Sequence, residues 1–128
     1  MAINPDLFRE FSPEWLTVHI LDQEITREGP VETIRLTARV MSVERSAAGL
    51  KPGDEIVIAY QRDDRQLDKV RDWMADMERN HMVGEPPDHP PTPPDTGATV
   101  RAYLAAAPSA GERIFKPDAH HHSFETLP

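Results

Sequence analysis

Apolar and polar residues alternate along three stretches in the first half of the chain. The first stretch starts at Trp15, the second covers Thr33–Glu44, and the third follows the turn at Pro52–Gly53. A two-residue period puts the apolar residues on one face of an extended strand, and the turn between two stretches favours a reversal of the chain. The apolar phase contains Leu16, Val18, Ile20, Ile34, Leu36, Ala38, Val40, Ile56, Ile58 and Tyr60. The pattern predicts consecutive antiparallel strands.

The second stretch changes phase near its end. Its apolar residues run to Val40 in one phase, whereas Met41 and Val43 follow in the opposite phase. A change of phase inside a continuous strand pattern is typical of a β-bulge or bend, which curved sheets need in order to close. We therefore expect the second strand to bend after Val40.

The period changes again between Asp63 and Asn80, where apolar residues recur at spacings of three and four. This spacing predicts an amphipathic helix over about residues 63–80, and Asp63 is a suitable N-terminal cap. The apolar stripe contains Leu67, Val70, Met74 and Met77, with Trp73 beside it. Packing of this stripe on the core is the favoured interpretation, and it explains the methionines better than binding of a soft metal.

Proline dominates the segment after the helix. Six of the fourteen residues in 84–97 are proline, a composition that favours an extended surface loop. Further strand signals follow at Val100–Leu104, Ile114–Phe115 and Ser123–Phe124. This order predicts a mainly β fold, a five-stranded Greek-key barrel of the OB-fold type with one helix between strands 3 and 4. We expect a single domain over residues 15–128, preceded by an N-terminal arm of residues 1–14.

Three runs of sequence, Thr37–Gly49, Gly53–Ile58 and Gly97–Leu104, carry a family resemblance. Together they resemble the netrin-like domains, which include the tissue inhibitors of metalloproteases, over about residues 33–125. The resemblance implies a barrel that is used for binding. Those inhibitors chelate the protease zinc through an N-terminal cysteine, and disulfides brace the module. This chain begins Met1-Ala2-Ile3 and has no cysteine, so protease inhibition does not carry over.

The charge of the chain bears on its partners. A formal net charge of −8, from 22 acidic and 14 basic residues, repels polyanions. We therefore expect neither nucleic acid nor an anionic membrane surface as a partner, and favour a protein with a basic surface. The absence of cysteine fits a reducing compartment. Because no signal-peptide pattern and no membrane-length apolar run is present, the sequence predicts a soluble, cytoplasmic protein without membrane insertion.

Motifs of the common enzyme classes are missing from the chain. It has no G-x-S-x-G elbow, phosphate-binding loop, dinucleotide fingerprint or H-E-x-x-H. We therefore predict that it is not an enzyme but a non-catalytic binding module, an accessory subunit or adaptor of a larger protein assembly. No cofactor is expected on this hypothesis. The alternative is a metal-binding protein.

Three features are candidate partner-binding surfaces, and each has a plainer interpretation. Aromatic residues of the arm either dock on a partner or cover one end of the core. The proline-rich loop contains a PxxP pattern, yet a stiff loop can equally lie against the barrel. Aspartates repeat every four residues along the helix, which suits either a docking strip or a solvated face. The residues concerned are Phe8 and Phe11, Pro90 and Pro93, and Asp68 and Asp72.

The C-terminal run His120–His122 is the candidate metal site. In an extended segment His120 and His122 project to the same side, where both can bind one ion, and His89 can add a third ligand if the loop folds back. Imidazole ligands suit zinc or copper. The alternative is a polar turn before a strand that Phe124 anchors in the core.

Overall fold

Six strands and a 16-residue helix form the regular structure of the parts of the chain described here, residues 9–81, 89–107 and 113–127. The coordinates are a computed structural model. The elements are β1 (Glu14–Glu28), β2 (Val31–Ser46), β3 (Glu55–Asp63), α1 (Asp64–Arg79), β4 (Thr99–Ala106), β5 (Ile114–Pro117), a 3-10 turn (His120–His122) and β6 (Phe124–Thr126).

The first five strands close into a barrel in the order β1-β2-β3-β5-β4, with β4 returning to β1. Strands β3 and β5 run parallel, whereas the other neighbouring strands are antiparallel. This arrangement confirms the predicted five-stranded barrel with its helix between β3 and β4. The short strand β6 adds to β4 outside the closed circuit, from Val100 opposite Thr126 to Ala102 opposite Phe124.

The barrel interior is filled by the side chains that the alternating pattern assigns to one phase. They come from all five barrel strands, so each strand contributes one face to a common core. The fully or almost fully buried members are Leu16, Val18, Ile20, Ile34, Leu36, Ala38, Val40, Ile56, Ile58, Val100, Ala102, Leu104 and Phe115.

The predicted bend in β2 is a β-bulge at Met41. Thr17 of β1 lies opposite Ser42 and Val18 lies opposite Val40, so Met41 is the extra residue between them. Its side chain is therefore exposed, and Val43 beyond it packs against the core in the new phase. The change of phase in the sequence is the direct consequence of this inserted residue.

Strands β1 and β2 extend beyond the barrel as a hairpin. Gly29, with φ of 60°, and Pro30 form its two-residue turn between the paired residues Glu28 and Val31. A positive φ at the first turn position is the reason that glycine is needed there. On its other side β1 pairs with β4 only from Glu14 to His19.

Helix α1 has the bounds and the cap that the sequence predicts. Asp63 adopts an extended backbone, and its carboxylate accepts a hydrogen bond from the Arg65 backbone N–H. The helix start is fastened to the hairpin turn, because the Asp64 N–H donates to the Pro30 carbonyl at 2.9 Å and Arg27 pairs with the Asp64 carboxylate at 2.7 Å. The first turn of α1 and the hairpin tip are therefore held together.

Candidate functional site

The apolar face of α1 is not packed on the core. No side chain of the helix is buried, and Met74 is 58% exposed. This corrects the expectation that the stripe, with its two methionines, is part of the interior. We call this surface the α1 stripe; it consists of the half-buried Leu67, Val70, Trp73 and Met77 and the exposed Met74. A helix normally gains its stability by burying such a face, so an accessible stripe is a candidate contact surface.

Most of the aspartates on the opposite face of α1 are paired with arginines. Asp64 contacts Arg27, Asp68 lies 3.6 Å from Arg71 across one turn, and Asp76 lies 3.1 Å from Arg79. Exposed pairs of this kind contribute little stability, but they reduce the negative charge offered to a partner. Asp68 and Asp72 are both exposed, and docking through them remains a prediction.

The cap of α1 gives the helix a pH dependence. Hydrogen bonds from the Arg65 side chain and backbone lower the pKa of Asp63 to about 2. A lowered folded-state pKa stabilises the fold above the unfolded value near ~3.9, and this contribution is lost as the pH falls through the folded value. We expect the first turn of α1 to loosen between about pH 4 and pH 2. Circular dichroism of the wild type and Asp63→Asn checks this, because asparagine caps without titrating and should flatten this part of the acid transition.

Phe11 does not cover the end of the barrel. Its side chain is 79% exposed, although the backbone around it is held in place. Arg45 donates hydrogen bonds to the carbonyls of Glu10 and Ser12, and Arg9 pairs with Glu125 at 3.1 Å. A fixed backbone with an exposed aromatic side chain fits the docking interpretation of Phe11. Phe8, the other aromatic candidate, lies outside the described residues.

A stack of arginine and aromatic side chains holds the arm to the barrel. The rings of Trp15 and Tyr103, neighbours on β1 and β4, lie 5.7 Å apart, with Arg45 over Trp15 at 5.7 Å and Arg9 over Tyr103 at 4.9 Å. Contacts of this kind contribute up to about 1 kcal/mol each at partly exposed sites. The sequence interpretation missed this stack, because it depends on which residues of β1 and β4 lie side by side.

The described part of the proline-rich loop, residues 89–97, lies against the barrel. The Tyr60 hydroxyl donates to the Pro91 carbonyl at 3.0 Å, and the Gln23 amide donates to the Pro94 carbonyl at 2.9 Å. Burial under this segment raises the pKa of Tyr60 above its usual range. Pro90 and Pro93 are half-buried, so the loop lies on its own domain, and recognition of these prolines by a partner remains a prediction.

The histidine run is a tight turn and not the extended segment on which the metal hypothesis was built. The His122 N–H donates to the Ala119 carbonyl and the Ala119 N–H donates to the Ser123 hydroxyl, both at 2.9 Å, which closes the 3-10 turn. His89 stacks on His121 with ring centroids 4.2 Å apart, and His121 contacts His122 at 3.9 Å. The loop thus folds back, and it brings His89 onto His121. The side chain of His120 lies outside the description.

Comparisons with known proteins do not assign this chain to a family. Comparisons with protein-family models, curated proteins and solved structures found no match to this chain.

Within the described ranges, no group of three histidine or carboxylate side chains has the arrangement of a metal site. No helix of the described chain has the length and apolarity to cross a membrane. The interpretation of function therefore depends on the surfaces above.

Glu14 is a buried carboxylate that the sequence interpretation did not single out. It is 1% exposed at the start of β1, and it accepts hydrogen bonds from the Ser46 hydroxyl and from the backbone N–H groups of Ala47 and Ala48. It thereby ties β1 to the loop between β2 and β3. The signal was present, because Glu14 has the same phase as the inward-facing Leu16.

Proposed function

We propose that this protein is a non-catalytic binding module that joins a protein partner through the α1 stripe, as an accessory subunit or adaptor of a larger assembly. The observation that carries the proposal is the apolar face of α1, which has no buried residue and leaves Met74 58% exposed. The netrin-like resemblance, which implies a binding barrel, supports the same class of function.

The partner offers an apolar groove to the helix. An amphipathic helix in a groove is a common mode of recognition, in which anchors at spacings of three and four residues enter apolar pockets. The α1 stripe has this spacing, and it includes the aromatic and methionine side chains that adaptable interfaces favour. The fastened helix start presents the stripe in a fixed orientation, which lowers the entropic cost of binding.

Charge favours a partner with a basic surface around that groove. The net charge of −8 attracts such a surface over a distance, and exposed Asp72 on the far side of the helix adds to the local field. Steering of this type accelerates association and weakens as salt rises. We therefore expect the rate of association to fall with ionic strength while the dissociation rate changes little.

Variants of α1 test the proposal by capture of partners from the native source. Met74→Asp places a charge in the α1 stripe, and we expect it to reduce recovery of a specific partner at least tenfold, because a carboxylate in an apolar groove loses its hydration. Ala75→Asp, which adds the same charge at an exposed position outside the α1 stripe, is the matched control and should retain most of the recovery. Since Met74 is exposed, the thermal midpoint of the free protein should hardly change in either variant.

Two results would contradict the proposal. One is equal recovery by the Met74→Asp variant and the wild type, which moves the contact away from the α1 stripe. The other is recovery of the protein alone together with a strictly monomeric elution profile. A loss with Asp72→Asn and not with Met74→Asp would instead support the acidic docking strip at Asp68 and Asp72.

A second candidate function is binding of zinc or copper at the histidine turn. The gathering of His89, His121 and His122 favours it, because the ring centroids of His89 and His121 lie 4.2 Å apart and those of His121 and His122 lie 3.9 Å apart. Imidazole nitrogens coordinate in the ring plane, so stacked rings have to turn before they can share an ion. Metal binding therefore requires the turn to rearrange.

Calorimetric titration with Zn²⁺ and with Cu²⁺ separates this candidate from the first. Stoichiometric, sub-micromolar binding that is abolished by His121→Ala together with His122→Ala, and retained by the exposed control His81→Ala, supports a metal site. Weak binding of several ions per chain contradicts it.

A further inference from the structure

The outer half of β1 is an open edge of the sheet. β1 pairs with β2 along its whole length, but its pairing with β4 stops at His19, and Ile20 makes the last bonds on that side, with Gly97 and Ala98. The Pro94 carbonyl reaches the side chain of Gln23. In the part of the chain that is described, no strand pairs with β1 beyond that point. We call Asp22–Glu28 the β1 edge.

The hydrogen-bonding groups of the β1 edge follow from the hairpin turn. In a hairpin with a two-residue loop, the residues that flank the loop exchange hydrogen bonds, here Glu28 and Val31. In an antiparallel pair such residues alternate with residues whose backbone groups face the other way. The N–H and C=O groups of Ile25 and Arg27 therefore point away from β2, toward the side where no strand of the described residues pairs with β1.

The β1 edge is held in a fixed place. Arg27 pairs with Glu32 across the hairpin at 3.1 Å and with Asp64 of α1 at 2.7 Å, and the turn carbonyl of Pro30 accepts the N–H of Asp64. Strand β2 continues to pair with β3 up to Val31 opposite Asp63. The edge is thus a preformed template for another strand, and ordering it adds little cost to binding.

The two faces of the β1 edge differ in chemistry. One face carries the carboxylates of Asp22, Glu24 and Glu28, all exposed. The other face carries Ile25, which is 43% exposed and lies opposite the buried Ile34, so that it continues the apolar core to the rim of the barrel. An added strand would cover Ile25 with one face and meet carboxylates with the other.

Pairing of two copies through this edge is disfavoured by charge. Two copies of the β1 edge can pair antiparallel in three registers in which at least five residues of each copy overlap and the outward N–H and C=O groups of one copy meet those of the other. They place Glu24 opposite Glu24, Asp22 opposite Glu28, or Glu24 opposite Glu28 of the other copy. Like charges directly opposite each other destabilise a sheet, and charged edges are a common protection against self-association. The occupant is therefore a different chain with cationic side chains.

We infer that the β1 edge binds an extended segment of a protein partner by strand addition, and that this segment alternates basic and apolar residues. The inference goes beyond the proposed function, because it adds a contact surface on β1 to the one proposed on α1. Backbone hydrogen bonds to Ile25 and Arg27 supply affinity. The alternation supplies specificity, since basic side chains face Asp22, Glu24 and Glu28 while an apolar side chain covers Ile25.

A designed peptide provides the probe. A capped nine-residue peptide in which lysine and valine alternate is titrated into the isotope-labelled protein, and amide shifts and hydrogen exchange are followed by NMR. We expect protection of the Ile25 and Arg27 amides, with binding that weakens as salt rises. A peptide in which glutamate and valine alternate should bind at least tenfold more weakly.

Two matched substitutions at Ile25 separate backbone from side-chain contacts. Ile25→Pro removes an outward N–H and leaves the β1–β2 ladder intact, because proline is tolerated on the open side of an edge strand. We expect it to weaken binding of the lysine–valine peptide about tenfold beyond the loss caused by Ile25→Ala, which keeps the N–H. Glu24→Lys with Glu28→Lys should reverse the preference between the two peptides. The same change of charge at Glu44 and Glu55, which are exposed and lie outside the β1 edge, should leave the preference between the two peptides unchanged.

The outcomes distinguish this inference from the proposed function. Protection of Ile25 and Arg27, loss with Ile25→Pro and the reversed preference together support strand addition. Equal binding of both peptides, protection elsewhere, or no binding at millimolar peptide overturns it. If the α1 variants still control capture of a partner while the peptide fails, the binding module stands and the β1 edge does not. If the peptide binds at the β1 edge but no partner is captured through α1, the α1 proposal fails and the inference about the β1 edge stands.

Discussion

Replacing Glu14 with alanine is expected to lower the free energy of unfolding by about 3 kcal/mol. The substitution removes the acceptor for the Ser46 hydroxyl and for the N–H groups of Ala47 and Ala48, and it leaves a void at a buried position. Hydrogen bonds to a charged group contribute more to stability than bonds between neutral groups do. The buried donors that lose their acceptor also carry an uncompensated cost of desolvation. Denaturant titration measures this decrease in the free energy of unfolding.

Two further variants show whether the carboxylate itself is responsible. Glu14→Gln keeps the shape and one acceptor oxygen, so it should cost less than alanine. Glu10→Ala changes a charge on the exposed arm and should alter stability by no more than about 0.5 kcal/mol. A Glu14→Ala protein as stable as the wild type would show that the loop after β2 does not depend on this anchor.

Phe115→Ala is expected to lower the free energy of unfolding by about 3–5 kcal/mol, because Phe115 is the largest fully buried side chain among the described residues. Phe115 also belongs to the short strand that closes the barrel: it lies opposite Ile58 in the parallel β3–β5 pair and opposite Ala106 in the β4–β5 pair. Loss of its side chain therefore creates a cavity where the barrel has the fewest backbone pairs.

Thermal unfolding and hydrogen exchange measure this effect together. We expect a fall in the midpoint of about 10 °C or more, with faster exchange in β5 than in the β1–β2 pair. Lys116→Ala, at an exposed position of the same strand, is the control and should stay within about 0.5 kcal/mol of the wild type. Uniform loss of protection in all strands would contradict a local opening at β5.

The barrel was predictable from the sequence because each of its strands buries one face. Period-two alternation marks such strands directly, and the phase change after Val40 locates the bulge at Met41. The bounds of α1 were predictable for a similar reason, since Asp63 caps the helix locally and the stripe repeats with the helical period. These features depend on residues close together in the chain.

The candidate site was less predictable because it depends on placement. The spacing of Leu67, Val70 and Met74 shows that they share a face, but it does not show whether that face meets the core or solvent. Among the described residues the β1 edge has no pairing strand because β4 begins opposite His19, which depends on long-range pairing. At the histidine run, a hydrogen bond between Ala119 and Ser123 closes a turn. The imidazoles are therefore not arranged as they would be along an extended segment.

Photo-crosslinking from α1 tests the central claim most directly. A photoreactive amino acid is placed at the position of Met74 in one protein and of Asp72 in another, both expressed in the native host. The binding-module account predicts a discrete heavier adduct from the Met74 position, with little from the Asp72 position on the opposite face. Equal adducts from both positions, or none from the Met74 position, would contradict the claim that a partner covers the α1 stripe.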